Sequence, residues 1–482
     1  MSARRHSDAD PVLHEHACCV ARCTHVFAQE AQWAGGKTIR IALGVILTLA
    51  WIRATSQEAA SPHAGGTDLN LPQPQSKSEA LSPSPQLTSQ DSEAVKNKQY
   101  VTPDLPDPLE KWTRYSSDYF AIGLGMAILV DYDSFSQDAV SKEQIGIQHD
   151  QWDARSVRFF ASGGIGPKSY RVSYLGSYGF NGFDAPQNHK SYWGFTDLYA
   201  TFPAGKLGAL TYGKQKECFV YEMVGDAAYL YQAERNLTPF FTSRNVGLML
   251  ANSVLKKRST YTAGWFNDWW VQGTPFHTTG NQFASRVTGL LSINEEGSKY
   301  WHVAVSGRYA GATNGFVQMR FRPLGNVGSY YIDTGKIPAT GQTDFGLETL
   351  FNYNSFAIMA EYARAYVNGT QLSSSPSLYG YYVAASWVVT GEHHPYDRNV
   401  GYARRIVPQH HFGAVELTAM FGRNDLNDKM IQGGIGDKTF FGANWLLNRR
   451  LKLGVAGGIV TVDRAGLTGV TTIVQPRIQY IF

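Results

Sequence analysis

The residues best placed to do chemistry are basic. Arg171, Arg308, Arg320 and Arg322 each alternate with apolar neighbours, so each would stand on the polar face of an extended segment. Lys214 and Lys216 close another such segment, and Arg235 and Arg244 lie in the irregular stretch 217–245 that follows it. A guanidinium donates two parallel hydrogen bonds to an oxyanion, whereas an ammonium acts as a point charge. Gathered around a water-filled space, such a set would hold phosphate-like anions at several weak sites, each attractive enough for entry and loose enough for exit. The same cations could instead pair with carboxylates such as Asp197 and Glu361 and stiffen a wall. The spacing leaves both readings open.

Signatures of catalysis are missing from the sequence. There is no Gly-x-Ser-x-Gly elbow, no phosphate-cradling Gly-rich loop ending in Lys-Ser/Thr and no His-Glu-x-x-His helix. Neither an enzyme nor a bound cofactor is expected. His14, His16, Cys18, Cys19, Cys23 and His25 crowd near the start, but their spacing fits no standard zinc pattern. His393-His394 and His410-His411, beside Pro395 and Pro408, read as solvated loop histidines. A net charge of +4 over 482 residues makes no global basic field, so no nucleic-acid partner is expected.

The elements that must position the cations are strands. The chain has 27 Tyr, 25 Phe, 11 Trp and 48 Gly, a composition suited to many strands joined by tight turns. Its longest apolar run, Ile41 to Ile52, falls short of the ~18 residues a spanning helix needs. From residue 118 onward the pattern has period two. Trp301, Val303, Val305 and Tyr309 share one face, and His302, Ala304, Ser306 and Arg308 share the other. Val317, Met319, Phe321 and Pro323 oppose Gln318, Arg320 and Arg322; Val474, Ile478 and Tyr480 oppose Gln475, Arg477 and Gln479. Aromatics often bracket a small or aliphatic middle, as in Tyr379-Gly-Tyr-Tyr-Val-Ala-Ala-Ser-Trp387, which matches interfacial girdles around a lipid-facing wall. The expectation is an all-β chain: a transmembrane antiparallel β-barrel of sixteen strands over 118–482. The stretch 217–245 would be a long third loop folded into the lumen. The alternation is less regular over 155–163 and 355–367.

Ahead of the barrel, residues 1–36 read as an upstream extension or a mis-called start. Residues 37–56 have the form of a signal peptide: Lys37 and Arg40, an apolar core Ile41 to Trp51, then Ala54-Thr-Ser56 with cleavage expected after Ser56. Residues 57–110, rich in Ser, Pro and Gln, read as a flexible tether. Export leaves Cys218 as the single cysteine, which suits an oxidising compartment without structural disulfides.

Several stretches occur in the order found in one known family: Gly125-Met-Ala-Ile-Leu-Val-Asp-Tyr132, Gly213-Lys-Gln-Lys-Glu-Cys-Phe219, Glu234-Arg-Asn-Leu-Thr238, Met319-Arg-Phe-Arg-Pro323, Gly380-Tyr-Tyr-Val with Thr390-Gly-Glu392, Gly442-Ala-Asn-Trp445 and Arg477-Ile-Gln-Tyr-Ile-Phe482. In these the chain resembles the bacterial phosphate-selective porin O/P family. The resemblance implies a homotrimeric, sixteen-stranded barrel in outer-membrane lipid that passes small anions passively. It puts Arg235 at the family's loop arginine and Arg320 and Arg322 on its basic ladder. Arg155 and Arg158 flank the place of an arginine pair, which adds Arg158 to the anion-pathway candidates. Two positions depart from the family: the first-strand ladder arginine is replaced near Met126 or Ala127, and Met223 stands where a lysine follows Glu222. Anion preference therefore carries over, and strict phosphate selectivity does not. The alternatives are a barrel with a blocked lumen serving mainly as a binding or structural surface, and a secreted soluble β-rich protein that binds glycans.

Overall fold

The computed structural model describes residues 113–180, 193–267, 280–312, 314–372 and 374–482. The extension, signal peptide and tether expected at 1–36, 37–56 and 57–110 lie outside them. Sixteen long strands follow one another: β1 (Phe120–Gln137), β2 (Gln151–Ile165), β3 (Val172–Phe180), β4 (Trp193–Pro203), β5 (Ala209–Lys216), β6 (Arg244–Val254), β7 (Ser259–Asn267) and β8 (Asn281–Ile293). The second half contains β9 (Lys299–Gly311), β10 (Ile337–Tyr353), β11 (Phe356–Gly369), β12 (Ser377–Val388), β13 (Ala414–Asp428), β14 (Ile431–Leu446), β15 (Leu451–Arg464) and β16 (Leu467–Ile481). Each pairs antiparallel with its chain neighbours. The last returns to the first, from Ala127 opposite Ile481 to Gln137 opposite Thr471, and closes the barrel without a free edge. Phe482 adds a reciprocal backbone pair with Met126, at 3.0 and 3.1 Å.

The alternation read from the sequence is the alternation of the wall. On β9, His302, Ala304, Ser306 and Arg308 are buried while Trp301, Val305 and Tyr309 are exposed outward. On β16, Gln475, Arg477 and Gln479 face in, and Val474 and Ile478 face out. An outward band that includes Phe441, Ile459 and Ile478 would be unfavourable in water and suits hydrocarbon. Among the described residues no helix is long and apolar enough to cross a membrane.

Three features depart from the alternating pattern. In the β1–β2 ladder Leu129 faces Ser156 but Asp131 faces Asp153, so β2 holds one extra residue there. This bulge reverses the side-chain parity, and both Arg155 and Arg158 point inward although they are three residues apart. That is the cause of the irregular alternation at 155–163. On β11 the inner face is largely apolar (Ala357, Met359, Ala363, Ala365, Val367), because it packs against irregular segments inside and not against water. Residues 316–323 are not a wall strand. They belong to the connection 312–336, where Phe316–Val317 pairs with the start of β10 and Arg320–Phe321 with Ile332–Asp333. Their alternation is real, but its apolar side (Val317, Met319, Phe321) is buried inside the protein.

Connections at one end of the barrel are mostly short: 166–171, 204–208, 255–258, 294–298, 354–355 and 447–450. The exception at that end is 389–413, a long connection that contains the expected loop histidines. At the other end lie 138–150, 217–243 and 312–336, the first holding α1 (Ala139–Ile145).

Candidate permeation pathway

No residue of the connection 217–243 is exposed, and side chains from strands around the barrel hold it. Glu361 of β11 accepts from the backbone N–H of Tyr221 and of Glu222, and Tyr382 of β12 donates to the same carboxylate at 2.7 Å. Glu222 in turn accepts from the N–H groups of Asn236 and Leu237, at 2.6 and 2.7 Å, pinning the loop to itself. Burial raises the Glu222 carboxyl against these donors. Arg155 of β2 grips Glu234 with two hydrogen bonds (2.7 and 2.9 Å), and Arg477 of β16 reaches the same carboxylate. Lys216, Lys438 and Lys452 donate to loop carbonyls at Gly225, Glu234 and Ala228. A Cβ at Gly325 would lie 2.3 Å from Arg155 Nε, so the connection 312–336 can close over this ion pair only with glycine there.

The connection 389–413 meets the same segment. The Ala403 N–H donates to Tyr221 Oη at 2.9 Å, and Arg405 lies over the ring of Tyr229. Arg286 of β8 donates to Gly401 O (2.8 Å), and Tyr396 Oη and His302 Nδ1 are 2.7 Å apart. His394 is buried against Ser386 and Glu416, both at 3.1 Å, which corrects its reading as a solvated histidine. His410 and His411 are exposed.

Three cavities adjoin along this arrangement. The first, toward the long-loop end, is lined by Arg308, Arg320, Arg322, Tyr330, Glu234 and Arg235. The second is lined by Arg235 again, with Arg155, Arg158, Lys216, Arg244, Asp197 and Asp226. The third, toward the short-turn end, shares Ala228 and Tyr229 with the second and adds Arg405, Arg449, Arg450, Lys452 and Glu416. Each stage is lined by more cations than carboxylates.

The expected basic residues divide by partner. Arg308 is locked: it donates to Glu217 (2.7 Å), Asp344 (2.8 Å), Thr242 and Gln282. Arg244, the first residue of β6 and not part of the loop, pairs with Asp197 at 2.9 Å. Lys216 pairs with Asp226 at 3.1 Å. Arg320 and Arg322 both lie over the Tyr330 ring, 4.2 and 5.0 Å from its centre, and Arg322 donates to Asn326 O. Arg235 donates to Glu222 O and Gly225 O, and burial brings its guanidinium down to about 10, still charged at neutral pH. Arg158 is different: its Nε is buried without a hydrogen-bond partner, and among the described residues it forms no ion pair. Two of the expected residues line none of these cavities. Lys214 donates to Phe195 O, and Arg171 clamps the carbonyls of Ser117 and Asp118 at the short-turn end. Arg405, Arg449, Arg450 and Lys452 were missed; the closeness of Arg449, Arg450 and Lys452 in the chain was the available signal.

The profile of the family described as phosphate-selective porin O and P matches residues 120–482, which is the barrel from its first strand to its last residue. The chain belongs to this porin family. No curated protein matches it in sequence. Among solved structures, the outer-membrane channel DcaP of Acinetobacter baumannii is similar in fold, with TM-score 0.50 and 11% identity over 76% of this chain and 99% of that one. OmpT of Vibrio cholerae, in-vitro folded, matches at TM-score 0.50 with 9% identity, over 77% and 99% of the two chains. An anion-selective porin from Comamonas acidovorans matches at TM-score 0.49 with 10% identity, over 75% and 100%. With the closed sixteen-strand wall, membership makes this porin an outer-membrane channel. Of the residues read above as departing from the family, Met223 is buried in the apolar cluster around Phe219 and Tyr221, and Ala127 lines the second cavity.

Proposed function

We propose that the porin conducts small anions by passive diffusion, oxyanions of the phosphate type first, through the three basic cavities in series. In this reading 217–243 crosses the lumen and narrows it, and 312–336 and 389–413 shape the two mouths. The observation that carries the proposal is Arg158. It is a half-buried cation whose buried Nε is unpartnered, in a cavity where Arg244, Lys216 and Arg155 are already paired with Asp197, Asp226 and Glu234. An entering anion would meet a net positive field there without first breaking an ion pair. Arg320 and Arg322, held on Tyr330, would serve as the outer collection point. Met223 supplies no charge beside Glu222, so we read selection among anions as broad.

The test is single-channel recording of the purified porin in planar bilayers. Reversal potentials in a potassium chloride gradient should report anion preference, and added phosphate should reduce chloride current reversibly. Closed barrels, or cation preference, would refute the proposal and favour the blocked-lumen alternative. Assembly as a homotrimer in the outer membrane belongs to the same reading, and chemical crosslinking in outer-membrane vesicles checks it.

A further inference from the structure

Asp131 and Asp133 of β1 and Asp153 of β2 bring carboxylate oxygens within 4.8 Å of one another, all three buried. Arg477 takes Asp131 with two donors, at 2.7 and 2.6 Å. The next carboxylate, Glu234, is shared by Arg155 and Arg477. Four carboxylates therefore stand beside two guanidiniums in a buried place. Two more cations lie nearby: Lys438 donates to Glu234 O at 3.2 Å, and Arg322 donates to Asn326 O and makes no ion pair among the described residues.

Two further atoms point to a ligand. Asp133 Oδ2 is buried with no hydrogen-bond partner, and so is the amide oxygen of Gln475, a residue 1% exposed. The amide nitrogen of that glutamine lies 3.0 Å from Asp131 Oδ2 and 2.8 Å from Asp133 Oδ1, so the side chain is aimed into the cluster. Turning the amide over brings its oxygen to the same spot. Oxygen-only donors suit hard cations, and calcium–oxygen bonds of ~2.3–2.6 Å put opposite ligands about 5 Å apart, close to the observed spread.

We infer that Asp131, Asp133 and Asp153, with the amide oxygen of Gln475, hold one divalent cation of the calcium class. Among the described residues Asp133 and Asp153 form no ion pair, and two positive charges would balance these two carboxylates. The ligands come from β1, β2 and β16, so the ion would clasp the seam where the barrel closes. Asn326 Nδ2 donates to Arg155 O at 3.0 Å and reaches Asp153 Oδ1 at 3.4 Å, which ties the connection 312–336 to the same point.

The experiment uses the full chain refolded in detergent free of lipopolysaccharide, with calcium chloride as the probe. Calorimetry should show one calcium ion per chain, and calcium should raise the thermal unfolding midpoint in a way that a chelator reverses. Asp133→Asn and Asp153→Asn, on different strands, should each weaken calcium binding at least ~10-fold, because each removes a charged ligand. Heat-modifiable migration checks that both variants fold, and the wild-type chelator effect stands independently if one does not. No saturable binding by the wild type would overturn the inference, and so would binding unchanged in both variants. An Asp133→Asn chain that keeps the calcium-bound midpoint without calcium would also overturn it, because a proton on Asp133 would then be enough.

Discussion

Replacing Arg158 with glutamine removes one charge and little volume, and it tests the proposed pathway at its most exposed assumption. The neighbouring cations are compensated: Arg244 by Asp197 at 2.9 Å, Lys216 by Asp226 at 3.1 Å and Arg155 by Glu234 at 2.7 Å. A small anion passing at contact, about 4 Å from the guanidinium, would gain ~1 kcal/mol if bulk water screened it and ~4 kcal/mol at the effective dielectric of a protein surface. The cavity adjoins others on both sides, and in the proposed pathway it is filled with water, so the lower end governs. About 1 kcal/mol enriches anions roughly fivefold at that point and depletes cations by a similar factor. The Arg158→Gln channel should therefore lose about fivefold or more in anion-over-cation permeability in a potassium chloride gradient. Its thermal midpoint should hold, since no ion pair is broken. A folded variant whose reversal potential coincides with that of the wild type would refute the reasoning, and Arg158 would then be only a wall residue.

Three further outcomes follow from the same structure. Arg320→Ala with Arg322→Ala should lower anion current at low salt much more than at 1 M, where the Debye length shrinks to ~3 Å, while leaving folding intact; equal losses at both salts would remove these residues from the entry. Burial alone would raise the Glu234 carboxyl, but Arg155 and Arg477 overcome it and hold the group well below the usual carboxylate range. A depressed carboxylate contributes its stability above its unfolded value near 4.3 and loses it only as pH falls through the folded value. Current noise should therefore stay flat from pH 7 to 5, whereas Glu234→Gln, which leaves two buried guanidiniums without their shared partner at a cost of ~3–5 kcal/mol, should be noisy throughout. Ile459→Arg on the outward face of β15 should destabilise the barrel by ~2–4 kcal/mol in lipid, measured by urea unfolding, if that face lies at the hydrocarbon midplane.

What the sequence by itself determined is the wall. Successive side chains on a strand point to opposite faces whatever their partners, so His302 to Arg308 and Gln475 to Gln479 could be assigned inward from spacing alone. The count of strands and the outward apolar band follow from that periodicity repeated through the chain. The tertiary structure decided what the inner face does. A one-residue bulge turned Arg155 and Arg158 to the same side, and nothing local marks where a ladder slips. Residues 316–323 alternate like a wall strand, yet they alternate between loop packing and a cavity, because period two records only that the two sides differ. The chain likewise announces that Arg171, Lys214, Lys216, Arg244 and Arg308 are charged. Whether each meets an anion, a carboxylate or a backbone carbonyl depends on residues tens to hundreds of positions away. Electrostatic partnership is a property of distance in space, and only the closed barrel with its inner connections sets those distances.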